Sequence, residues 1–191
     1  MSQESVSQSS PPSIYEKIEQ AHELYSACGD SLRQNRSVRT LLNTLQECIE
    51  NTKDSMLKFG VVAECKHCEE QEGGSCCGTG IENKYDVELL LVNLLLEASL
   101  RDQQPGQNSC YFLGEKGCKL TARHVLCVNY ICEKLQKKLT REQLIELQTC
   151  AGEELDTLFI LHEVIKKRLR ASPSLEYWKN GIMGQVITNQ Y

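Results

Sequence analysis

The chain carries eleven cysteines, and setting Cys28, Cys48 and Cys150 aside leaves eight that crowd between positions 65 and 132. They form two groups, Cys65-x2-Cys68-x7-Cys76-Cys77 and Cys110-x7-Cys118-x8-Cys127-x4-Cys132. A C-x2-C pair on a turn holds two sulfurs within reach of one ion, at about 2.3 Å for zinc. Soft thiolates select zinc, copper(I) or iron–sulfur clusters over hard cations. Neighbouring side chains of an extended backbone point to opposite sides. Cys76 and Cys77 therefore suit two metals, or two corners of a polynuclear cluster, better than one small ion. Gly73, Gly74, Gly78 and Gly80 let the backbone come close and offer N–H groups to sulfur. The remaining three cysteines fall at periodic positions of helical patterns and read as buried free thiols.

The compartment supports metal over disulfide. An odd count leaves one thiol over. Residues 1–13 are polar and Ser/Gln-rich, with no basic start and apolar run, so no secretory signal is expected. No apolar stretch reaches membrane-spanning length, and the best one, 87–100, carries Glu88, Asn93 and Glu97. A cytoplasmic protein is expected, where thiols stay reduced. A net charge of −5 and only 6% aromatic residues leave no general attraction for nucleic acid or an anionic membrane. The basic runs at 137–138 and 166–170 read as solvated helix faces.

Other reactive residues are weighed against the thiols. His67, inside the C-x2-C, is expected to point outward, and His124 to cap a helix or meet solvent. His22 and His162 sit in amphipathic patterns as ordinary helix residues. Arg123 can offset thiolate charge if it lies near the cluster. There is no phosphate-binding loop, dinucleotide fingerprint, H-E-x-x-H or G-x-S-x-G. Metal ligation accounts for such crowded thiols better than Cys–His nucleophilic catalysis.

These residues must be positioned by helices. Ser13 is an N-cap for a pattern through Ile14, Ile18, Ala21, Tyr25 and Cys28, punctuated at Gly29 and Asp30. A second pattern runs over 37–59, with Val38, Leu42, Leu45, Ile49, Thr52 and Met56 on one side, and Gly60 closing it. Residues 61–84 keep no hydrophobic period and need another organiser, such as a metal. Residues 86–100 are apolar almost all round, as in a covered central helix. Residues 102–119 read as loop, and 122–139 as one helix with Val125, Val128, Ile131, Cys132 and Leu135 inward. Thr140 and Gln143 have the capping-box form. The helix they open passes a break at Gly152, buries Leu158, Phe159, His162 and Ile165, and stops at Pro173. Tyr177 and Trp178 are expected to fold back or meet a partner.

The run from CKHC to SCCG, followed by CYFLGEKGCKL and RHVLCVNYIC, resembles the YkgJ-type cysteine-cluster family, described as a zinc- or iron-chelating domain. Cys65, Cys68, Cys76 and Cys77 match the first half of its pattern. Cys110, Phe112, Leu113, Gly117, Cys118, Cys127 and Cys132 match the second, over residues 65–132. The gap between Cys68 and Cys76 is longer than usual, and His124 stands where Pro commonly follows the Arg. The resemblance implies chelation by all eight cysteines. The expectation is an all-α, compact helical bundle over 14–191 behind a flexible tail, 1–13. Two cysteine-bearing loops, within a core of 61–135, converge on a metal site. The cofactor is an iron–sulfur cluster, 4Fe-4S ahead of 2Fe-2S, in a redox or cluster-carrying role with a protein or electron-transfer partner. One cluster needs four thiolates, which leaves four for a second metal or for exchange or redox roles. The alternatives are a zinc-binding interaction module and a metal-free thiol-redox enzyme.

Overall fold

The computed structural model describes residues 11–78, 80–100, 109–115 and 117–172. The chain is mostly helical: α1 (Ile14–Gln34), α2 (Arg36–Lys58), α3 (Val61–Gln71), a 3-10 turn (Ile81–Lys84), α4 (Val87–Leu95), α5 (Val125–Asn129), α6 (Glu133–Lys138) and α7 (Arg141–Ala171). A two-stranded antiparallel hairpin, β1 (Leu113–Gly114) with β2 (Gly117–Cys118), precedes α5. Residues 1–10 of the expected tail, the loop 101–108, Tyr177 and Trp178 lie outside the described residues.

Local signals set the starts. Ser13 and Glu16 make a complete capping box on α1, and Thr140 and Gln143 make another on α7. Asn35 caps both ways, ending α1 and accepting the Val38 N–H that opens α2. Gly29 and Asp30 do not break α1, which continues to Gln34. The reason is packing: Gly29 is buried beneath the Tyr25 ring, where a Cβ would come within 2.9 Å of Cδ2. Gly152 likewise lies inside an unbroken α7. A single glycine costs about 1 kcal/mol in a helix interior, and the long contact of α7 against α2 outweighs it.

Two apolar cores result. The main one joins α1, α2, α4 and the later turns of α7, with Leu45, Ile49, Leu90, Leu91, Phe112, Leu161 and Ile165 almost fully buried. Every residue of α4 is buried, as its composition predicts of a covered central helix, but the helix stops at Leu95 instead of running to Leu100, and Glu97 takes a φ of 64. A smaller core gathers Leu135, Leu139 and Leu147, with Met56, Phe59 and Cys132 against it.

Three further sequence expectations fail. Residues 61–71 are helix, although α3 buries none of its residues. Residues 122–139 split into α5 and α6 around an extended Tyr130–Cys132 link, because Cys132 takes the β-region N-cap conformation of α6. Val125 and Phe159 face outward, 46% and 66% exposed. Val125 is the first residue of the short α5, which buries only Val128, and α7 presents Leu158 and Leu161 to the core instead of Phe159. No helix among the described residues is long and apolar enough to cross a membrane.

Candidate metal centre

The first cysteine group hangs from α3. Gly60, at φ 73, turns the chain out of α2 in the left-handed region that L side chains rarely adopt. Cys65 and Cys68 then stand three residues apart on one helix face rather than on a turn. Only Val61 of α3 packs on the smaller core, and charge ties the rest of the helix to α6. Lys134 Nζ lies 2.7 Å from Glu64 Oε1, 2.7 Å from Glu72 Oε1 and 3.7 Å from Cys68 Sγ. Lys138 also pairs with Glu64. The Lys134 and Lys138 hydrogen bonds hold the Glu64 carboxyl down to about 2. His67 points to Glu72 at 3.3 Å, with its side chain exposed.

Past α3 the chain doubles back. Gly73 and Gly74 have φ of 82 and 130, and the Gly74 N–H donates to the Cys68 carbonyl at 3.2 Å. That return carries Cys76 and Cys77 toward the second group. The N–H of Gly74 thus serves a carbonyl and that of Gly80 serves the Glu82 carboxylate, neither of them a sulfur.

The two groups meet through the main chain. The Cys110 N–H donates to the Cys77 carbonyl at 2.8 Å, and Gly78 bridges Ser109 in antiparallel fashion. Glu69, on α3, locks both sides: it accepts the Ser109 hydroxyl at 2.5 Å and the Ser75 N–H at 2.8 Å. The hairpin sets Cys118 opposite Leu113. Tyr85, 1% exposed, donates its hydroxyl to Cys127 Sγ at 3.9 Å and accepts the His124 N–H at 3.0 Å. His124 Nδ1 accepts the Leu126 N–H, the capping role expected of it.

Asn93 fixes the approach to α5, a role its place in an apolar run does not reveal. It is fully buried on α4. Its amide donates to Leu89 and Ala122 carbonyls at 3.0 and 2.9 Å, and its oxygen accepts Thr121 and Ala122 N–H groups at 2.9 and 3.0 Å. Arg123 follows directly, so this staple presents it to the thiols.

Burial and mutual repulsion disfavour the thiolates. Burial first, then the neighbouring Cys77, Cys76, Cys132 and Cys68, push Cys65 up to about 11. Burial pushes Cys110 up to about 12, with Cys118 and Cys127 among its charged neighbours. Cys118 and Cys127 rise for the same first reason, burial, and both feel Cys77. Cys118 is solvent-exposed on its surface yet flanked by enough protein to disfavour its charge. Three cations work the other way: Arg123 on Cys77, Cys118 and Cys127, Lys53 on Cys118, and Lys134 on Cys68. The donor set fits a thiophilic metal, which replaces the missing positive charge and releases the thiol protons. Among the described residues no three cysteine sulfurs lie within 4.8 Å of one another. A single tetrahedral zinc shell has a sulfur–sulfur edge of about 3.8 Å.

The group that does meet that spacing is Asp86, Glu88 and His162. No spacing rule points to it, since His162 is 76 residues from Asp86 and only the packing of α7 on α4 joins them. Asp86 Oδ1 already accepts the Leu89 N–H at 2.8 Å and His162 Nε2 at 3.0 Å, and Lys166 lies 3.6 Å from Oδ2. With those partners the group reads as a clamp between two helices. Cys28 donates to the Leu24 carbonyl, Cys48 meets Thr157 and Cys150 meets Ser55, so these three are free thiols on helices as the periodicity predicts, but half-buried rather than buried.

No family model, no curated protein and no solved structure matches the chain.

Proposed function

We propose that this protein binds a thiophilic metal through Cys65, Cys68, Cys76, Cys77, Cys110, Cys118, Cys127 and Cys132, and that the metal is an iron–sulfur cluster of the 4Fe-4S type. The observation that carries the reading is the main-chain bond from Cys110 to Cys77, which joins two cysteine groups far apart in sequence. Arg123 and Lys134 beside the sulfurs supply the positive charge that a thiolate-bound cluster calls for. The resemblance to the YkgJ-type family agrees with chelation. The adjacent Cys76 and Cys77, whose side chains leave an extended backbone on opposite sides, suit a polynuclear centre better than one zinc. Such a centre serves electron transfer or cluster delivery to a protein partner, in the reducing cytoplasm.

The test is elemental analysis with an optical spectrum on protein purified without oxygen. A brown preparation with bound iron and sulfide, bleaching on reduction, is expected. Stoichiometric zinc without colour selects the interaction-module reading. Bare protein after anaerobic loading with either metal overturns metal binding and leaves a thiol-redox enzyme.

A further inference from the structure

We propose that the eight thiols form two separate metal sites, with the adjacent Cys76 and Cys77 divided between them: Cys65, Cys68, Cys76 and Cys132 in an outer site, and Cys77, Cys110, Cys118 and Cys127 in an inner one. This rests on the metal-binding reading above and adds how the ligands are partitioned.

The two sets belong to different parts of the fold. Cys77 and Cys110 pack on the main core and share a backbone hydrogen bond. Cys118 is carried by the hairpin that begins three residues after Cys110, and Cys127 takes the hydroxyl of Tyr85, whose ring lies 5.3 Å from that of Phe112. Cys132 packs instead on the smaller core. It caps α6, whose Lys134 reaches Cys68 on α3. Each set has its own cation, Arg123 for the inner and Lys134 for the outer. Cys77 is half-buried against the main core, whereas the adjacent Cys76 is exposed and lies off it, as neighbouring side chains that point to opposite sides do. Its packing on the main core and its backbone bond with Cys110 place Cys77 with the inner set, which makes four thiols on each side.

The sites differ in anchoring. The outer one hangs on α3, which buries no residue fully, touches the smaller core only through Val61 and is otherwise held by ion pairs. The inner one is built on core residues and backbone bonds. The outer metal is therefore the exchangeable one, and the inner metal the resident one.

The full chain is loaded without oxygen, in parallel with ferrous iron plus sulfide and with zinc(II), stripped of excess, and challenged with EDTA while metal release is followed. Wild type is expected to release metal in two phases of about equal size. Cys76→Ser and Cys132→Ser should each bind about half as much metal and keep only the slow phase. Cys77→Ser and Cys118→Ser should bind about half and keep only the fast phase. Circular dichroism checks the helices, and the exposed Cys118 gives an inner-site variant should Cys77→Ser fail to fold. One release phase in wild type, or the same phase lost by Cys76→Ser and Cys118→Ser, overturns the partition while metal binding stands. A wild type that holds neither metal overturns both.

Discussion

At the residue scale, the polar groups buried beside the thiols decide how firmly the site is held. Asn93 satisfies four backbone groups at once. Asn93→Ala leaves buried donors and acceptors unpaired, and should cost about 3 kcal/mol in urea unfolding. Glu154 is 0% exposed, and burial raises its carboxyl above the ordinary 4.5 despite Thr52, Arg123 and Lys53. Neither of its oxygens, nor Arg123 Nε, has a hydrogen-bond partner among the described residues. A carboxyl with a raised folded-state value favours the protonated native form. Its contribution is complete below 4.5 and is lost as pH rises through the folded value. Urea midpoints measured across pH 4–8 should therefore show a downward component in wild type that Glu154→Gln lacks. None of these contacts was legible in the sequence. Asn93 read only as an interruption of an apolar run, because its four partners lie one turn back and about 29 residues ahead.

At the scale of elements, α3 rests largely on charge, and charge adds to the apolar contact of α4 with α7. Lys134→Ala removes the cation shared by Glu64, Glu72 and Cys68. Hydrogen exchange should then quicken in α3 and leave α2 and α7 unchanged, and about 0.5 M salt should do the same to wild type. Unchanged α3 protection would mean that packing holds this helix. Asp86 caps α4 and takes His162 and Lys166 from α7. Burial raises its carboxyl, but the His162 bond and charge, the Leu89 N–H and Lys166 outweigh that and hold it below 3.8. The stability it contributes is complete above 3.8 and lost as pH falls toward its folded value. Asp86→Ala should cost about 1–2 kcal/mol. Asp86→Asn, which keeps a capping oxygen, should cost less and lose that acid sensitivity. The capping boxes of α1 and α7 were legible because both partners lie within one turn. The helix at 61–71 was not, because the ion pairs that hold it come from α6.

At the scale of the whole molecule, metal that binds only the folded state must stabilise it. Loaded protein should unfold later than chelated protein, by about 2.7 kcal/mol when free metal stands at 100 times its dissociation constant. Equal thermal midpoints with and without metal would count against a site formed by folding. The sequence by itself determined the helical class, the covered α4 and the two cysteine groups as the chemistry worth following. These depend on composition, period and caps, which are local properties of the chain. Only the tertiary structure decided that Cys77 meets Cys110, that Arg123 and Lys134 stand beside different thiols, and that Asp86 finds His162. Those contacts join residues tens of positions apart. They are fixed by which helix faces bury each other, and no short-range pattern records that choice.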